Sequence, residues 1–147
     1  APGEKLAIRL EVDSNPPNGW ATAMTLINDV FIFPVWHFDL PSLFATKLHA
    51  CFYRKYRKGR DFYDLIWYLT RKTQPNFELL NNAIAQTEGA SPGITHTNLA
   101  EFIESRLETL DFKSLRNDVR PFLFRKAEAE LIEKSVMLNL VAGYRRG

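Results

Sequence analysis

Cysteine is almost absent from this chain: Cys51 stands alone among 147 residues. One thiol forms no internal disulfide, so the fold must be held by its core, and such usage fits a reducing cytosol. Long apolar runs are also missing. No stretch approaches the roughly 20 residues of a membrane-spanning helix, and no signal-peptide pattern opens the sequence. A Gly-rich phosphate loop, a Gly-x-Ser-x-Gly elbow and a dinucleotide fingerprint are all lacking. His37, His49 and His96 have no partners at zinc-ligand spacing. Net charge is only +2, too mild to imply nucleic-acid binding by itself, so any electrostatic argument must rest on local clustering. The opening Ala-Pro-Gly-Glu-Lys has no initiator Met and runs at once into a strand pattern, which leads us to expect a processed or truncated start.

What is present is an apolar fraction of 46%, ample for one core, with 11 Phe, 5 Tyr and 3 Trp. Leu6, Ile8, Leu10 and Val12 alternate with polar neighbours, predicting a strand over 5–13. An Asn-Pro-Pro-Asn-Gly loop follows. Strands are expected over 20–27 and 30–38, with Pro34 forcing an edge position or a bulge in the last. Asp39, Pro41 and Ser42 then signal a helix start. Apolar spacing predicts helices over 41–56, 62–71 and 98–110, one opened by Pro75-Asn76 and carrying Phe77, Leu80, Ala83 and Ile84 before a loop over 88–93, a short one over 112–117 and a last one over 127–142. The expected class is α+β: a small antiparallel sheet of about three strands at the N-terminal end, then a helical half. We divide the chain at 1–40 and 41–147.

The densest chemistry lies in residues 47–65. Lys47, His49, Arg54, Lys55, Arg57, Lys58 and Arg60 fall within one stretch, and Asp61 and Asp64 close it three residues apart. Lys47, Ala50 or Cys51, Arg54 and Lys58 share one helix face by spacing. Cys51, beside Phe52, reads as packing rather than as a nucleophile. Two readings of Lys47 stay open. Its ammonium, sunk beside Phe44 and Leu48, needs an anionic partner, or its stem covers apolar surface while its head reaches water. Asp61 reads as the N-cap of the second helix and Asp64 as a carboxylate favoured by that helix's dipole. Gly59 can fold the second helix back on the first, so a Lys and an Asp facing across the corner would pair, or share a phosphate and its metal. Glu11 and Asp13 share one strand face, about 7 Å apart by strand rise. That face reads as solvated, or as part of a hard-cation site.

Taken together, residues 10–17, residues 39–50, Arg54 and residues 58–65 resemble the AbiEii/AbiGii toxin family of nucleotidyltransferases. Asp118-Val119-Arg120-Pro121-Phe122-Leu123 is similar to a later family segment. The resemblance implies a polymerase-β-like enzyme that moves a nucleotide from an NTP, with Mg²⁺, onto an acceptor such as tRNA, and that is partnered by an antitoxin. It implies that Glu11, with Asp13 second to it, lies near the metal. Lys47 would contact the triphosphate, Arg54 and Arg60 would hold anions, and Asp61 or Asp64 would complete the site, Asp61 being favoured. The family's Gly-Ser…Asp-x-Asp motif does not occur in these residues, and only ten residues precede Glu11. Two-metal phosphoryl transfer needs that carboxylate pair. We therefore expect the C-terminal part of such an enzyme, without transferase activity on its own, and a sheet edge open to dimerisation. The competing expectations are a non-catalytic module gripping RNA or an acidic partner through residues 47–60, and a structural piece whose basic helix faces solvent.

Overall fold

The structure is a computed structural model that describes residues 9–145. Two antiparallel strands come first, β1 (Thr22–Asn28) and β2 (Ile32–Phe38), in unbroken register from Thr22 opposite Phe38 to Asn28 opposite Ile32. Pro34 sits opposite Leu26 with no bulge. In a two-stranded ribbon every strand is an edge, so its missing N–H costs nothing. The sheet therefore has two strands among the described residues, not about three. Residues 5–8 of the expected first strand lie outside the described residues. Arg9 to Asp13 lie within them and form no strand; Leu10 and Val12 are exposed, so period-two alternation had no sheet to join.

Helices follow: α1 (Leu40–Tyr53), α2 (Gly59–Thr70), α3 (Phe77–Glu88), α4 (Leu99–Leu107), α5 (Phe112–Val119) and α6 (Lys134–Arg145). The α+β class holds. The single core is helical, running from Phe44 and Leu48 in α1 through Phe62 and Leu65, Leu79 and Leu80, and Ile103 to Met137 and Val141. Helix α1 packs on α2 and α3, α2 on α5 and α6, and α4 on α6. The ribbon contributes none of these core residues. Its apolar side chains stay exposed on both faces, Met24, Leu26, Ile32 and Trp36 on one and Ile27 and Phe33 on the other.

Two polar knots tie the N-terminal segment down. The Ser42 hydroxyl, fully buried, accepts from the Ala21 amide and from Asn76 Nδ2. Asn76 also donates to the Gly19 carbonyl and caps α3 by accepting from Leu79 N–H. Asp39 caps α1 by accepting from Ser42 N–H at 2.9 Å, as the sequence signal predicts.

Several helix boundaries depart from the pattern. Helix α1 stops at Tyr53 rather than 56, because Arg54 turns to extended backbone. Helix α2 begins at Gly59, so Asp61 lies in its first turn and is not its cap. The last helix begins at Lys134 rather than 127. Before it, Lys126–Leu131 forms a 3-10 helix, clamped by Tyr63 donating to Glu128 and by Arg120 donating to Glu130.

Candidate functional site

The corner between α1 and α2 assembles four charged side chains. Lys47 Nζ lies 2.7 Å from Asp61 Oδ1 and 2.8 Å from Asp64 Oδ2. Arg54 Nη1 lies 2.7 Å from the other Asp61 oxygen. Asp61 is 3% exposed, while the Lys47, Arg54 and Asp64 side chains are 22%, 42% and 48% exposed. Of the two readings left open for Lys47, the paired one is therefore the one realised.

Local structure explains the convergence. Lys47 and Arg54 are seven residues apart, two turns of one face, and the chain leaves the helix at Arg54 so that its guanidinium reaches across. Gly59 allows the return. A Cβ there would stand 2.0 Å from the Leu115 carbonyl oxygen and 2.9 Å from the Val119 nitrogen, so only glycine lets the start of α2 approach α5 this closely. Asp118 of α5 accepts from the Gly59 N–H at 2.7 Å. It satisfies an amide at the start of α2 where Lys58 makes no side-chain cap. The sequence reading gave Asp118 no such part. The signal lay in the segment beginning at Asp118, but a cap supplied from 59 residues away has no local spacing to reveal it.

The electrostatics follow. Burial pushes the Lys47 ammonium toward neutrality, but hydrogen bonds and charge from Asp61 and Asp64 outweigh it and raise its pKa. Two carboxylates face two cations, so the cluster is charge-compensated. Cys51, behind it, is fully buried; its thiol donates to the Asp61 carbonyl and burial pushes its pKa well up. It is no nucleophile. The other expected residues stand apart. Arg60 is exposed and lies over the Phe122 ring at 6.0 Å. Glu11 pairs with Arg9 at 3.4 Å on an exposed segment. Asp13 accepts from Asn15 N–H and borders a cleft of about 490 Å³ lined also by Thr46, His49 and Gln86.

This arrangement bears differently on the two expected ligands. Among the described residues, no group of three or more His, Cys, Asp and Glu side chains is placed to hold a metal ion. Between Asp61 and Asp64, the place a cation would take is filled by the Lys47 ammonium. These residues do not by themselves fit Mg²⁺. Phosphate oxygens fit better. Lys47 has three N–H donors and spends two on Asp61 and Asp64, and Arg54 has five. The remaining N–H groups on these two partly exposed side chains are the donors the corner has left for an anion.

The chain is thus an α+β protein whose helical half presents a compensated Lys–Arg–Asp cluster at a glycine-dependent corner. The family model described as "Nucleotidyl transferase AbiEii toxin, Type IV TA system" matches residues 1–135, and the chain belongs to that family of nucleotidyltransferase toxins. No curated protein and no solved structure matches it. Among the described residues, no helix is long and apolar enough to cross a membrane.

Proposed function

We propose that the chain is the C-terminal part of a cytoplasmic nucleotidyltransferase toxin, its α1–α2 corner forming the phosphate-facing wall of the nucleotide pocket. The observation that carries this reading is Lys47, locked between Asp61 and Asp64 with one N–H to spare and Arg54 beside it. Lys47 and Arg54 hold NTP phosphates. Asp61 fixes both cations in place, and Asp64, more exposed, helps orient Lys47. Arg60 adds positive potential at the rim. Glu11, with Asp13 second to it, adds a carboxylate to an Mg²⁺ site whose remaining ligands these residues do not include.

The acceptor is RNA with a free end, such as tRNA, and an antitoxin of a type IV pair opposes the activity, as in abortive infection. The ribbon supports the division at 40/41 and a polymerase-β-like whole. Strands apolar on both faces suit the interior of a larger covered sheet. Their open edges would also pair a second copy.

The 147-residue chain, incubated with labelled NTPs, Mg²⁺ and bulk tRNA, should give no labelled product. Robust labelling would overturn the reading of this chain as a part. In a longer polypeptide carrying the Gly-Ser…Asp-x-Asp motif, Lys47→Ala should abolish transfer and leave RNA binding nearly intact. Retained transfer would remove Lys47 from the pocket.

A further inference from the structure

Helix α2 carries a second exposed feature on the same stripe as Asp64. Arg60, Tyr63, Asp64, Trp67 and Arg71 recur at spacings of three and four, so they line one face of the helix and its last turn. At one end Arg60 lies over Phe122, which is largely exposed. At the other Arg71 lies 4.7 Å over the Trp67 ring, and Trp67 is 45% exposed. From Arg60 to Arg71 the helix rise gives about 16 Å. Between α2 and the 3-10 segment runs an open groove of about 380 Å³, lined by Tyr63, Ile66, Trp67, Thr70, Arg71 and Leu131.

Of the nearby carboxylates, Asp64 is paired with Lys47 and Glu130 with Arg116 and Arg120, while Glu128 accepts from the neutral Tyr63 hydroxyl and keeps its charge. Among the described residues neither Arg60 nor Arg71 has an acidic partner within 4.0 Å. Exposed aromatic rings, each carrying a guanidinium, suit a strand that offers flat bases and phosphates in alternation. Bases stack on the rings, and the cations take the backbone. A duplex, with its bases already stacked, offers no such faces.

We infer that the Trp67–Arg71 groove and the Arg60–Phe122 pair form a binding track for single-stranded RNA, leading toward the Lys47–Asp61–Asp64 corner. The choice of RNA rests on the acceptor reading above. The track predicts that bases stack on Trp67, and that Arg71 contacts a phosphate about two helical turns from Asp64.

The test measures the anisotropy of a short fluorescein-labelled oligoadenylate, titrated with the 147-residue chain. Trp67→Ala should weaken binding about ten-fold, while Trp67→Phe, which keeps a ring, should recover most of it. Arg71→Ala should lower the salt slope by about one unit. Lys113→Ala, off this face, should change the affinity no more than any single lost charge and leave the ring dependence intact. Binding unaffected by Trp67→Ala and Arg71→Ala, with both variants melting like the parent, overturns the track. Equal affinity for the matching oligodeoxynucleotide overturns the assignment to RNA. If the track variants bind RNA normally yet a longer polypeptide with the catalytic motif labels RNA, the track falls and the transferase reading stands. If binding depends on Trp67 and that longer polypeptide transfers nothing, the track stands and the transferase reading falls.

Discussion

Asp61 and Asp64 bracket Lys47 at nearly equal distance, so substituting each in turn separates burial from proximity. Asp61→Asn keeps the shape and removes the charge. Asp61 is 3% exposed and accepts from two cations, so two charge-assisted hydrogen bonds are weakened in a site water hardly reaches. Breaking a fully buried pair costs about 3–5 kcal/mol. Two features reduce that here. Lys47 keeps Asp64, and Arg54 is exposed enough to turn to water. We therefore expect about 2–3 kcal/mol for Asp61→Asn. Asp64→Asn acts on a carboxylate 48% exposed to solvent and should cost about 0.5 kcal/mol. With a urea dependence of about 2 kcal/mol per molar, the Asp61 variant should lose about 1–1.5 M in its unfolding midpoint and the Asp64 variant about 0.25 M. The assay is equilibrium urea unfolding near neutral pH, followed by Trp fluorescence and far-UV circular dichroism, whose coincidence tests two-state behaviour. Equal shifts for the two variants, or a midpoint for Asp61→Asn within error of the parent, would refute the view that burial makes Asp61 the keystone.

Four further outcomes follow from the structure. Gly59→Ala should cost about 3 kcal/mol, because the added Cβ meets the Leu115 carbonyl oxygen at 2.0 Å; Asp118→Ala, removing the acceptor for Gly59 N–H, should cost about 1 kcal/mol, both read as urea midpoints. Burial first, and the Arg54 charge second, lower the pKa of His49 below 6.5, so folding disfavours its protonated form. Its contribution is complete above that value and is lost as pH falls through and below it. Stability should therefore decline on acidification, and His49→Gln should flatten the part of the profile just below 6.5. The Cys51 thiol, buried and pushed well up in pKa, should resist a thiol-specific disulfide reagent in the native chain and react at once in denaturant. Native-state labelling at the denatured rate would contradict the packing of α1 on α2.

What the sequence made legible were features whose causes are local. The start of α1 was visible because Asp39, Pro41 and Ser42 act within one turn. Asn76 before α3 and the left-handed Gly89 after it are of the same kind. The pairing of Lys47 with a carboxylate across the glycine corner was foreseeable as one of two readings. Spacing could not choose between them, because it does not encode how closely α2 returns. Three of the misreadings have distant causes. Asp61 looked like a cap, but Asp118 serves the start of α2 from α5 and frees Asp61 to point inward. Residues 127–133 carry a helical pattern, yet Tyr63 and Arg120 hold the 126–131 segment in a 3-10 helix, and Arg116 donates to the Ile132 carbonyl. Arg9 to Asp13 alternate like a strand, but alternation cannot say whether a partner strand is at hand.

The same contrast bears on how the corner can work. A phosphate site built from loose lysines would gain its positive charge cheaply and lose its geometry. Here Lys47 and Arg54 are both tied to one buried carboxylate, which cancels charge and fixes position. A ligand phosphate arriving at this corner does not meet a strong field. On the proposed phosphate reading it would meet groups already ordered when the helices packed. Affinity for phosphate at the corner should therefore be modest, and its orientation strict. Removing Asp61 would then have two opposite effects: more local positive charge, and less order in the groups that carry it. If order dominates, the Asp61→Asn protein binds phosphate more weakly despite its greater charge. That outcome would mark Asp61 as a positioning residue, acting through Lys47 and Arg54 rather than on the ligand itself.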